Sequence, residues 1–139
     1  MKEITVIVPN KVGALAEVAE ELGSNGINII SISAMGVGDT GVIRLITSDE
    51  RSAMNVLTKY TATKRDHYEV RMADAIVVSI HDRPGELSKI CKKIAKLGIN
   101  IETVYQMKKE GGMMDLIIKP ERVEEALKTL KEAGIKARL

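Results

Sequence analysis

Asn10-Lys11-Val12-Gly13-Ala14-Leu15 returns as Asp82-Arg83-Pro84-Gly85-Glu86-Leu87, and Gly26-Ile27-Asn28-Ile29 returns as Gly98-Ile99-Asn100-Ile101. Both pairs are 72 residues apart. Between them, Leu15, Val18, Ala19 and Leu22 match Leu87, Ile90, Cys91 and Ile94, each set at the spacing of one apolar helix face. Gly41-Val42-Ile43 matches Gly112-Met113-Met114 at 71 residues, which predicts a loop one residue shorter in the second copy. An internal repeat of this kind decides the fold. The chain of 139 residues reads as two copies, 1–72 and 73–139.

Each copy has the same order of elements. A strand (Ile4 to Val8; Ala75 to Ile80) runs into a glycine turn and the amphipathic helix, which is expected to end at Gly23 or Gly26 and at Gly98. Two strands joined by a glycine-rich turn follow: Asn28 to Met35 with Val42 to Thr47, and Asn100 to Met107 with Met113 to Lys119. A second helix (Glu50 to Tyr60; Glu121 to Ala133) and a last strand (Tyr68 to Met72; Ile135 to Leu139) close each copy. The fold class is α+β: a β-α-β-β-α-β ferredoxin-like unit, twice, with two helices on one face of a four-stranded antiparallel sheet. Only Ala73 and Asp74 lie between the last strand of the first copy and the first strand of the second, with no flexible linker composition.

The motif Asp82-Arg83-Pro84-Gly85-Glu86-Leu87, followed by Gly98-Ile99-Asn100-Ile101, resembles the signature of ACT domains, ferredoxin-like modules that bind amino acids and regulate metabolic enzymes. The first copy carries a looser version, with Asn10 for the aspartate and Val12 for the proline. The likeness spans essentially the whole chain and is greatest to small proteins made of two ACT domains alone. It implies a regulatory, non-enzymatic protein that binds a small amino acid or related carboxylate, the ligand often lying between two ACT domains. The ligand-binding residues expected on this basis are Asn10, Val12, Gly13, Ala14, Leu15 and Asn28 in copy one, and Asp82, Pro84, Gly85, Glu86, Leu87 and Asn100 in copy two, whose turn keeps the motif better. A serine-sensing histidine is not carried over, because Ile80 and not His81 occupies its place.

The residues support that chemistry. Glycine at positions 13 and 85 lets the chain bend sharply and lets a ligand approach the backbone. The N–H groups that follow open a helix, where unpaired donors and the helix dipole favour a carboxylate. Asn10 or Asp82 can accept from an ammonium group, and Asn28 and Asn100 offer both donor and acceptor. The competing interpretation is that the turn only closes the fold and starts the helix. In that case the chain is a ligand-free docking subunit of a metabolic enzyme.

Other chemistries find little support. With no Phe or Trp and only Tyr60, Tyr68 and Tyr105, the chain lacks stacking platforms for nucleic acid, and its net charge of +2 is too balanced for electrostatic binding of one. A single cysteine, Cys91, excludes an internal disulfide and falls on the apolar stripe of its helix, where a buried, inert thiol is expected. His67 and His81 have no neighbours at metal-ligand spacing, and no catalytic constellation recurs in both copies, so neither metal, cofactor nor catalytic residue is expected. Gly36-Val37-Gly38-Asp39-Thr40-Gly41 matches the dinucleotide pattern literally, but a strand follows it, so it reads as a hairpin loop. The seven methionines read as core filler.

The absence of a long apolar run argues against membrane insertion, and the N-terminus shows no secretion signal, so a cytoplasmic protein is expected. Residues 1–72 carry 8 basic and 9 acidic side chains, and the remainder 13 and 10. This contrast centres on Glu17, Glu20 and Glu21 of the first helix against Lys89, Lys92 and Lys93 of its repeat. Apolar Ile7 and Val77, on the sheet faces opposite Ile4, Val6, Val8 and Ile76, Val78, Ile80, suggest a second covered face and a homodimer or larger assembly.

Overall fold

A computed structural model describes residues 1–64 and 66–139. The chain divides into two compact units, Lys2–Ala73 and Asp74–Leu139, with Met1 grouped with the second. The first contains β1 (Lys2–Pro9), α1 (Ala14–Ser24), β2 (Ile29–Val37), β3 (Thr40–Thr47), α2 (Glu50–Ala62) and β4 (Glu69–Asp74). The second contains β5 (Ile76–His81), α3 (Glu86–Ala95), β6 (Ile101–Glu110), β7 (Met113–Pro120), α4 (Val123–Glu132) and β8 (Lys136–Arg138). The strand orders are β2-β3-β1-β4 and β6-β7-β5-β8, so the expected β-α-β-β-α-β unit is present twice.

Alternation along the central strands builds each core. Ile4, Val6 and Val8 of β1 and Ile43 and Leu45 of β3 meet Val18 and Leu22 of α1 and Ala53, Leu57 and Tyr60 of α2. In the second unit, Ile76, Val78 and Ile80 meet Leu116 and Ile118, with Ile90 and Ile94 of α3 and Ala126 and Leu130 of α4. Burying each aliphatic side chain contributes about 1.5–3 kcal/mol. The helix ends agree with the glycine signals: Gly26 (φ 70°) and Gly98 (φ 69°) take the left-handed turn, so Gly26 rather than Gly23 closes the first helix. On the sheet faces turned from the helices, Ile7 is half-buried, and Ile46, Val77 and Ile117 are buried.

Three expectations are corrected. The methionines are core filler only in part: Met54 and Met114 pack against the two cores, but Met35 and Met72 are exposed, and none of the seven is fully buried, because the cores are already filled by branched aliphatic residues. Cys91 is a free, half-buried thiol rather than a buried one. The second copy's hairpin is longer by one residue, not shorter. Ile43 and Leu116 hold equivalent places opposite Val6 and Val78, an offset of 73, and the extra residue is absorbed by a bulge in β6 between Gln106 and Lys108.

Candidate functional site

The two strand–turn–helix loops have nearly the same backbone. Gly13 and Gly85 both stand at the helix N-cap with φ 87°, a left-handed conformation that L side chains rarely adopt. Lys11 N–H donates to the Pro9 carbonyl at 2.9 Å and Arg83 N–H to that of His81 at 3.0 Å, which tightens each loop. No side chain caps either helix: Ala14 N–H donates to the Lys11 carbonyl at 3.3 Å and Glu86 N–H to that of Arg83 at 3.4 Å, while the N–H groups of Leu15 and Ala16, and of Leu87 and Ser88, have no acceptor among the described residues.

Around these loops the copies differ. In the first, a cleft of about 200 Å³ opens between the start of α1 and the end of β2. Asn10, Lys11, Ala14 and Leu15 line one side, and Ala34, Met35 and Gly36 the other. Strand register explains the space. Val8 lies opposite Gly41, which lies opposite Gly36, so two of three adjoining positions on the helix side have no side chain. In the second copy the equivalent row is Ile80, Met114 and Lys109. Met114 packs on the core, and Lys109 Nζ lies 2.7 Å from Asp82 Oδ2. The hollow is filled there, and the Asp82 carboxylate already has a cation.

The polar groups of copy one are freer. Asn10 Nδ2 donates to the Gly38 carbonyl at 2.9 Å, which aims the side chain across the hairpin. Among the described residues its Oδ1 accepts no hydrogen bond. Lys11 adds an exposed ammonium. Strand β2 is an edge of its sheet, so its outer row of backbone N–H and C=O groups has no strand partner within the unit. The cleft thus combines helix N–H donors and a lysine for a carboxylate with amide and backbone oxygens for an ammonium group. Among the described residues, no group of three or more His, Cys, Asp or Glu is placed to hold a metal ion.

Sequence comparison gives this geometry a family: the ACT domain matches residues 2–61 and again residues 75–134. The chain belongs to the ACT domain family. No curated protein matches it. Among solved structures, it is similar to protein BT0572 from Bacteroides thetaiotaomicron, with TM-score 0.83 and 26% identity over 99% of this chain and 90% of that one. It is also similar in fold to the ligand-free regulatory subunit of aspartate kinase from Thermus thermophilus (TM-score 0.67, 23% identity, 95% of this chain and 91% of that one). The corresponding subunit from Thermus flavus gives TM-score 0.64 and 23% identity over 96% and 92%.

Within the first ACT unit, Asn10, Ala14 and Leu15 line the cleft, Gly13 shapes it, and Val12 projects fully into solvent at the loop tip. In the second, Glu86 accepts from Arg83 Nε at 2.9 Å and Lys89 Nζ at 3.1 Å, which holds its carboxyl below the usual range. Pro84 and Leu87 are exposed. Asn28 and Asn100 stand elsewhere. Ile29 pairs with Thr47, whereas Pro9 pairs with Thr40, so Asn28 sits at the opposite end of its own sheet from Asn10, roughly 20–25 Å along the strands. Asn100 is likewise remote from Asp82, since Ile101 pairs with Pro120 and His81 with Met113. Neither asparagine joins its own unit's loop. Sequence reasoning missed Lys11, Ala34, Met35 and Gly36. The signal available was the glycine pair 36 and 41, which lie directly opposite each other across the hairpin.

The literal dinucleotide pattern of residues 36–41 is the end of β2, a tight turn and the start of β3, with Gly38 at φ 58°. No helix follows it to cradle a phosphate. His81 is the exposed last residue of β5. No helix among the described residues is long and apolar enough to cross a membrane.

Proposed function

We propose that this ACT protein is a non-catalytic regulator that binds a small amino acid or related carboxylate at the first copy's loop cleft. The carrying observation is the hollow left by Gly36 and Gly41 beside an uncapped helix N-terminus and the unpaired Asn10 Oδ1. The carboxylate would meet the first-turn N–H groups of α1 and the Lys11 ammonium. The ammonium group would meet Asn10 Oδ1 and the edge carbonyls of β2. Family membership supports a regulatory ligand-binding role, and the cleft suits a compact ligand.

A thermal-shift screen against the twenty amino acids tests this. Ligand at 100 times its Kd raises stability by about 2.7 kcal/mol. The amide of an active amino acid, which lacks the carboxylate, is expected to give no shift. Failure of every amino acid overturns the reading.

A second reading rests on exposed apolar residues of the edge strand: Ile30, Ile32, Met35 and Val37. They suit docking, either to a second copy in a homodimer or larger assembly, or to a metabolic enzyme, as the regulatory subunits named above serve aspartate kinase. Substitution of Ile32 by Lys separates the readings. A docking role predicts loss of association with the amino-acid response intact.

A further inference from the structure

The two ACT units also differ between the first turn of α1 or α3 and the end of α2 or α4. In the first, Tyr60 of α2 is buried and donates to Glu17 Oε2 at 2.6 Å. Tyr68 meets it edge to face, with ring centroids 6.1 Å apart, and Lys64 Nζ lies 3.5 Å from Glu17 and over both rings. Two tyrosines and an ion pair therefore occupy the space between α1, α2 and β4.

In the second unit these side chains are gone. Ala53, Leu57 and Tyr60 correspond to Ala126, Leu130 and Ala133, so the buried tyrosine becomes alanine. The link that carries Lys64 to Tyr68 is reduced to Gly134 between Ala133 and Ile135. The result is a cleft of about 380 Å³ between β5, α3 and the α4–β8 link. The charges reverse as well: Glu17 and Glu21 of α1 become Lys89 and Lys93 of α3, and Lys136 joins them from β8. The remaining titratable groups on the lining are His81 and Glu86. Glu86 is neutralised by Arg83 and Lys89. Among the described residues, Lys93 and Lys136 form no ion pair. Ile90 and Ile135 give the cleft an apolar floor.

The geometry points to a second ligand site in this cleft, for a small organic anion. Its apolar body packs on Ile90 and Ile135, and its carboxylate or phosphate is held by Lys93 and Lys136. A deep pocket with an apolar floor and few convergent polar groups is the usual form of a small-molecule site. Lysine, as a mobile point charge, serves either headgroup. The site lies in the second copy and is independent of the loop cleft of the first.

Phenyl phosphate, benzoate and neutral phenol titrated into the ¹⁵N-labelled full chain provide the test. Phenyl phosphate or benzoate is expected to shift the amides of Ile90, Lys93, Gly134 and Lys136 saturably, while phenol does not and Asn10 to Leu15 stay still. The stronger of the two names the headgroup. Lys93→Gln is expected to weaken binding about tenfold, as removal of a charge-assisted hydrogen bond does. Ala133→Tyr, which restores the first copy's side chain, is expected to abolish it. Should that variant fail to fold, Lys136→Gln replaces it with the same expectation as Lys93→Gln. Equal shifts with phenol, no saturable shift, or unaltered binding by Lys93→Gln and its companion overturns the proposal.

Discussion

Gly36 passes so close to Asn10 that a Cβ on the glycine would lie 2.5 Å from the Asn10 Nδ2. The hydrogen on Gly36 is therefore what allows Asn10 to reach the Gly38 carbonyl. Gly36→Ala is expected to turn the Asn10 side chain away, at a folding cost of about 0.5–1.5 kcal/mol for the lost hydrogen bond. The loss of amino-acid binding should be larger than that, because the alanine methyl also enters the cleft. Calorimetric titration alongside thermal unfolding reads the two effects separately.

The loop glycines make a matched pair of tests. A Cβ at Gly13 or Gly85 meets no atom within 4 Å, so any cost of alanine there is due to backbone conformation alone. With φ 87° at both, each substitution is expected to destabilise by about 1–2 kcal/mol. Urea unfolding of the two variants should give similar losses, whereas only Gly13→Ala should weaken the amino-acid response.

Stoichiometry follows from the side chains at the hollow. Met114 and Lys109 occupy in the second copy the places of Gly41 and Gly36. One amino acid per chain is therefore expected in a calorimetric titration. Two equivalent sites would show that Met114 and Lys109 do not block the second loop.

Tyr60 and Glu17 predict opposite behaviour at the two ends of the pH scale. The Glu17 carboxyl is held below its ordinary range, first by the Tyr60 hydroxyl and then by Lys64. A depressed folded pKa means the contribution is present above the unfolded value and lost as pH falls through the folded one. Burial and the Glu17 carboxylate raise the Tyr60 phenol. That contribution is complete below the ordinary tyrosine pKa of 10.0 and fades as pH rises above it. Tyr60→Phe should lower Tm by a few degrees at neutral pH, and the gap from the parent should narrow below about pH 4. In an alkaline absorbance titration, the last of the three tyrosines to ionise should vanish in this variant.

The repeat made the fold legible because it rests on local rules: strand alternation, helical spacing and glycine at left-handed turns. Gly13, Gly85, Gly26 and Gly98 all do what their surroundings in sequence imply. The candidate site was only half legible. Asn10, Ala14 and Leu15 could be picked from the motif, but the better-preserved motif of copy two pointed away from the open cleft. What closes that second loop is Lys109 and Met114, which reach it only through strand register. The same limit hid the separation of Asn28 from Asn10, since the motif places both near one helix but not at opposite ends of one sheet. Tyr60 and Ala133 were invisible for another reason: their difference matters through the volume between two helices and a strand.

The bulge in β6 has a practical consequence for any mutational map of this chain. Up to Gln106 a finding in one half carries to the other by adding 72, but from Lys108 to the end of α4 the correct increment is 73. A fixed ruler pairs Gly36 with Lys108 instead of Lys109, on the wrong side of the sheet. One inserted residue has thus re-indexed half of a duplicated hairpin and given the twin loops different inner walls, while leaving their backbones superposable.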